Sequence, residues 1–115
     1  MNTPYAVVTG ASTGLGKAFA HELAQRKINL VLVSLPNEGL PELARQLKQA
    51  GIDAAYFETD LTKQENVINL TDWINKNFAV SILINNAGMV GSKRVVQAYI
   101  SYLDKMLKLN FVSVT

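Results

Sequence analysis

Short apolar runs alternate with segments of helical period along this chain. Tyr5–Thr9 is a compact apolar run and predicts a first strand. Leu15, Phe19 and Leu23, with Ala20 and Ala24, recur at helical spacing and predict a first helix that buries that side. Asn29–Ser34 is apolar without a break between its ends, as expected of a strand covered on both faces. Pro36, Gly39 and Pro41 mark a loop and a helix start, and Leu40, Leu43, Ala44 and Leu47 give the i, i+3, i+4, i+7 stripe of a second helix. Gly51 is expected to end it as the C′ residue. Ile52–Glu58 predicts strand three. Thr62-Lys63-Gln64-Glu65 has the form of a capping box, and Val67, Leu70, Ile74 and Phe78 lie on one side of the helix that follows. Val80–Asn85 predicts strand four, Asn86 to about Gln97 reads as loop, and a last helix is expected from near Tyr99 to the end.

This βαβαβαβα order predicts a parallel sheet with helices on both faces, an α/β doubly wound architecture in one domain. Right-handed crossovers favour the strand order 3-2-1-4, with a ligand crevice where the direction reverses, between strands one and four. No repeat, linker or low-complexity stretch interrupts the alternation.

Composition narrows the chemistry. Nearly half of the 115 residues are apolar, enough for a core. The net charge of +2 is small, and Lys63, Lys76, Lys93, Arg94 and Lys105 are spread out, so no nucleic-acid footprint forms. The absence of cysteine excludes disulfides, thiolate metal sites and cysteine nucleophiles, and a single histidine argues against a histidine metal site. No apolar run, Leu30–Val33 included, is long enough to cross a membrane, and residues 1–8 lack a signal-peptide pattern. The expectation is a cytoplasmic protein with no membrane or nucleic-acid partner.

The chemistry lies in Thr9-Gly10-Ala11-Ser12-Thr13-Gly14-Leu15-Gly16, which joins a strand to a helix. Glycines let a backbone turn tightly and approach a ligand, and first-turn amides with the helix dipole favour phosphate. A P-loop is the rival reading because of Gly16-Lys17. It fails because Ala11 stands where its first glycine belongs and Ala18 replaces the magnesium-binding hydroxyl. The bland alternative is a glycine turn without a ligand.

The spacing T-G-x-x-x-G-x-G resembles the cofactor loop of the short-chain dehydrogenase/reductase family, a Rossmann-type fold, with Gly10, Gly14 and Gly16 matching its glycines. Three further segments match that family in order. Asp60-Leu61 follows strand three, where the family reads adenine with an acidic side chain and the next backbone amide; Asp60 has a competing local role in starting helix three. Asn85-Asn86-Ala87-Gly88 follows strand four; the resemblance implies that its asparagines tie strands together, while Ala87 and Gly88 admit the ribose and nicotinamide. In Leu109-Asn110-Phe111, Asn110 matches the asparagine of the catalytic tetrad, against the plainer reading of a partly exposed helix residue.

The resemblance implies an NAD(P)(H)-dependent oxidoreductase that moves a hydride between nicotinamide and a carbonyl or alcohol of a small molecule, in an intact protein expected to be a homo-oligomer. Its cofactor would be held by Gly10, Ser12, Thr13, Gly14, Leu15, Gly16, Ser34, Asp60, Leu61, Asn86, Ala87 and Gly88. The family's catalytic serine and Tyr-x-x-x-Lys are not in this chain: none of Tyr5, Tyr56, Tyr99 and Tyr102 has lysine four residues on. The pattern also stops at Thr115 inside a helix, so residues 1–115 are expected to be the cofactor-binding half of one domain, inactive alone. The alternative is a non-catalytic dinucleotide-binding module, a redox sensor or interaction subunit. Ser34 occupies a position that is acidic in NAD-preferring members, which tilts the expectation slightly to NADP(H). Leu35 and Thr13 lack the basic groups that many NADP-preferring members carry there; Lys17 is an alternative cation, or simply a surface lysine. His21 reads as a solvated helix residue.

Overall fold

The computed structural model describes residues 4–12 and 14–86. In chain order the elements are β1 (Tyr5–Thr9), α1 (Gly14–Gln25), β2 (Asn29–Ser34), α2 (Leu40–Lys48), β3 (Ala54–Glu58), α3 (Gln64–Asn77) and β4 (Val80–Asn85). The loop and helix expected beyond Asn86 lie outside the described residues. All strand pairs are parallel and the order is β3-β2-β1-β4, as the alternation predicts. The chain thus steps outward from β1 to β3 and then returns to the other side of β1, which places the reversal between β1 and β4.

Both sheet faces are covered. Ala6, Val8, Leu30, Leu32 and Ile84 pack with Ala20 and Ala24 of α1 and Leu40, Leu43, Ala44 and Leu47 of α2. Val7, Val31, Val33 and Leu83 pack on the other face with Val67, Leu70 and Ile74 of α3. The period of two along β1 and β2 divides their side chains between these cores, so both strands read as unbroken apolar runs. A register shift between Tyr5 and Ala6 lets Val80 join the α3 face although Ile82 packs on the other.

Four local expectations need correction. In α1 the fully buried stripe is Gly16, Ala20 and Ala24; Phe19 and Leu23 are half-buried, and Leu15 is 52% exposed. Small residues at i and i+4 let the helix lie close to the sheet, which larger side chains would prevent. The capping box does not form. Lys63 is the N-cap, without a side-chain cap bond, and Thr62 instead donates from both its hydroxyl (2.7 Å) and its amide (3.0 Å) to Asp60 Oδ1. An ionised acceptor two residues away wins over a neutral backbone target. β3 begins at Ala54 rather than Ile52, because Gly51 turns the chain at φ 90° and pairing with β2 starts at Leu30↔Ala54. Gly51 itself stands two positions past the C-cap Gln49, one later than expected, after a tightened last turn with Ala50 N–H on Leu47 O and Gly51 N–H on Lys48 O.

Candidate functional site

The carboxyl ends of the four strands are tied into one continuous edge. Ala11 N–H donates to Val33 O (3.0 Å), which fastens the glycine turn to β2. Thr59 N–H donates to Ser34 O (2.9 Å), which fastens the end of β3 to the end of β2. On the other side, Asn86 N–H donates to Thr9 Oγ1 (3.0 Å) and Asn86 Nδ2 donates to Gly10 O (3.1 Å). Thr9 is fully buried, and its hydroxyl also donates to Ile84 O at 3.4 Å. Asn86, just after β4, therefore clamps the glycine turn from the far side of the reversal, in line with the strand-tying role that the sequence suggested. The sequence placed Thr9 at the head of the motif but gave it no role of its own; the structure shows it as part of the clamp.

The glycines have distinct tasks. Gly10 (φ 64°) and Gly14 (φ 50°) hold left-handed backbone that side chains resist. A Cβ on Gly16 would stand 2.6 Å from Asn86 Nδ2 and closer still to the Gly10 carbonyl, so Gly16 lets α1 pack onto the turn. A Cβ on Gly14 would meet nothing within 4 Å among the described residues. The turn is thus closed on the Gly16 side and open on the Gly14 side. No acidic residue occupies the first turn of α1, so the amide-rich helix start keeps its attraction for an anion, and the exposed Leu15 sits beside it. An open glycine backed by a helix start is a cradle of the kind a pyrophosphate needs, and the residues here fit a dinucleotide.

Ser34 is buried and donates its hydroxyl to Leu35 O (2.9 Å). Ser12 donates its hydroxyl to Glu38 Oε1 (2.6 Å), a link between the glycine turn and the β2–α2 loop that the sequence reading missed. Asp60 has the local role expected of it. The bonds from the Thr62 hydroxyl and then the Thr62 amide hold its carboxyl below the usual range, and its carbonyl accepts Asn66 Nδ2 (2.9 Å). Both Thr62 bonds reach Oδ1, so the carboxylate retains acceptor capacity for another donor. Leu61 packs half-buried against the α3-face core, and His21 is exposed. Both side-chain polar atoms of Asn85 are buried without a hydrogen-bond partner among the described residues, directly beside the Thr9–Asn86 clamp. Thr13, Ala87, Gly88 and Asn110 lie outside the described residues. Among the described residues no acidic or histidine cluster suits a metal ion, and no helix is long and apolar enough to cross a membrane.

Comparison with known proteins agrees with this geometry. The short chain dehydrogenase family model matches residues 4–115. Epidermal retinol dehydrogenase 2 of Homo sapiens is 34% identical over 91% of this chain and 35% of its own length. The 3-oxoacyl-[acyl-carrier-protein] reductase FabG of Buchnera aphidicola is 33% identical over 95% of this chain and 44% of its own. The chain therefore spans less than half the length of these relatives. Among solved structures, the bulky-bulky ketone specific alcohol dehydrogenase of Comamonas testosteroni superposes with a TM-score of 0.80 at 29% identity, covering 93% of this chain and 49% of that one. A short-chain dehydrogenase from Sphingobium yanoikuyae in complex with NADPH gives 0.79 at 27% identity, covering 90% and 47%. With its glycine turn, its sheet order and this match over nearly its whole length, the chain belongs to the short-chain dehydrogenase family.

Proposed function

We propose that residues 1–115 are the cofactor-binding half of a Rossmann-type domain in an NAD(P)(H)-dependent oxidoreductase acting on a small carbonyl or alcohol substrate. One observation carries this: the glycine turn is clamped to β4 through Gly10 and Asn86, while its Gly14 side is left open at the start of α1. Gly10, Ser12, Gly14, Leu15 and Gly16 would cradle the pyrophosphate, Asp60 and Leu61 would face adenine, and Asn86 would hold the floor beneath the cofactor. Thr13, Ala87, Gly88 and, at the reacting end, Asn110 complete the assignment that the family pattern supports. When bound, the nicotinamide supplies or accepts the hydride. The chain's own work is to bind and orient it. The absence of charge at Ser34 supports slight favour for NADP(H) over NAD(H), since no carboxylate at the end of β2 opposes a 2′-phosphate. The location proposed for the intact enzyme is the cytoplasm, as a homo-oligomer.

The test is nicotinamide absorbance with the intact protein and a panel of ketones and aldehydes. Consumption of NADPH or NADH is expected with at least one carbonyl, and none from a pure sample of residues 1–115, which contains no Tyr-x-x-x-Lys. The alternative is a dinucleotide-binding module without catalysis. Tight cofactor binding by the intact protein, with no turnover across the panel, would select it.

A further inference from the structure

Asn85 ends β4, where the sheet reverses direction. It is 5% exposed, and neither its Oδ1 nor its Nδ2 has a hydrogen-bond partner among the described residues. The other buried polar side chains there are engaged: Thr9 with Ile84 O and Asn86 N–H, Ser34 with Leu35 O and Thr71 with Ile68 O. A buried amide without partners forfeits the bonds it made to water, a cost that folded chains rarely accept. Side chains alternate along β4, and Leu83 belongs to the core under α3, so Asn85, two residues on, faces the same side. In register it stands beside Thr9, the anchor of the clamp. A carboxamide carries the donor and acceptor of a peptide group side by side, so another peptide group complements both at once. β4 is the last strand on its side of the described sheet, and in a doubly wound fold the sheet continues beyond that position.

We propose that Asn85 is a positioning residue: its amide pairs with a main-chain peptide group of the intact chain beyond Asn86, and so fixes the reacting end of the site against the carboxyl end of β4. The two adjacent asparagines then divide the work. Asn86 holds the glycine turn that binds the cofactor, and Asn85 holds the part of the protein that must meet the bound cofactor. This rests on the oxidoreductase reading above.

The experiment compares the intact protein as wild type, Asn85→Leu and Asn85→Asp, by melting temperature, by calorimetric dissociation constants of NADH and NADPH, and by kcat on a carbonyl that the wild type reduces. Asn85→Leu keeps the size of the side chain and leaves the peptide group unpaired. Its melting temperature should fall, and its kcat should fall by about tenfold, the size of one lost hydrogen bond to a buried group, with both dissociation constants within about twofold of wild type. A protonated carboxyl at this position offers a donor and an acceptor, and burial favours that form; the ionised carboxylate offers acceptors alone. The kcat deficit of Asn85→Asp should therefore shrink between about pH 8 and about pH 5, while that of Asn85→Leu stays level. Wild-type kcat with an unchanged or raised melting temperature in Asn85→Leu overturns the proposal, because apolar replacement of a lone buried amide is neutral or stabilising. Cofactor affinity that falls as far as kcat also overturns it, since Asn85 would then serve the glycine turn. If Asn85→Leu does not fold, the Asn85→Asp series decides, and a deficit equal at every pH overturns the role. A wild type that binds cofactor without turnover ends the oxidoreductase reading and the positioning role with it, while the melting temperature of Asn85→Leu still reports whether the amide is paired.

Discussion

The two ends of the same four strands are finished in opposite ways. At the carboxyl ends the contacts are made by backbone and short polar side chains: Thr9, Gly10, Ala11, Ser34 and Asn86. At the amino ends of β1 and β2 larger groups close the structure. The Tyr5 ring packs tilted at 58° against Phe78, centroids 4.7 Å apart, and Phe78 in turn lies 5.1 Å from Trp73. The Tyr5 hydroxyl donates to Asp53, whose amide donates to Asn29 Oδ1 (2.9 Å) and whose carbonyl accepts Leu30 N–H (2.9 Å). At the amino ends half-buried rings pack against one another, whereas at the carboxyl ends glycines and hydroxyls hold the backbone. Stability and binding are thereby assigned to different ends of one sheet.

Substitutions can break that division. The largest effect is expected at Gly16, where the binding end is as tightly packed as a core. Gly16→Val drives a side chain into the Gly10 carbonyl and Asn86 and should cost about 3 kcal/mol, the upper range for overpacking, together with cofactor affinity. Gly14→Val meets open space. Its left-handed backbone strain should cost only about 1–2 kcal/mol, while cofactor affinity falls at least tenfold. Denaturant melts paired with binding isotherms on the intact protein check both. Equal losses of stability in the two variants would show that the turn is uniformly packed. Phe78→Ala comes next, at about 2–3 kcal/mol, below the ~3–5 of a fully buried ring because Phe78 is only half-buried. Cofactor affinity should stay at the wild-type value there, and a parallel loss of binding would erase the separation of the two ends.

The binding end was the more legible of the two in the sequence. Glycines at turns announce themselves because few other residues tolerate those backbone angles, and Asn86 stood out as part of the motif after β4. Strands β1, β2 and β4 matched their apolar runs because both faces are covered. What stayed hidden were contacts between segments distant in the chain. Ser12 meets Glu38 only because the loop after β2 folds back, and Tyr5 meets Asp53 only because the strands stand side by side. Local patterns also misled where a stronger partner stood nearby. Thr62 looked like a cap until Asp60 claimed it, and Leu15 looked like core until the helix turned its alanines inward.

The smallest effect expected is a pH dependence that belongs to the closed end alone. Burial first, then the hydrogen bond to Asp53 and its negative charge, push the Tyr5 hydroxyl from the ordinary 10.0 up to about 12. A folded pKa above the unfolded one means that the neutral phenol is favoured by folding. The resulting stability is fully present below pH 10 and is lost as pH rises from 10 to about 12. Water at this sheet edge screens the interaction, so the change should stay under about 1 kcal/mol. Tyr5→Phe removes the titrating group while keeping the ring on Phe78, so its stability should lack that alkaline component. The check is a pair of chemical-denaturation series between pH 9 and about 12, with the stability difference between wild type and variant plotted against pH. A difference that stays flat across that range would mean that Asp53 is not the acceptor of the Tyr5 hydroxyl in solution, and that the amino ends are closed by the rings alone.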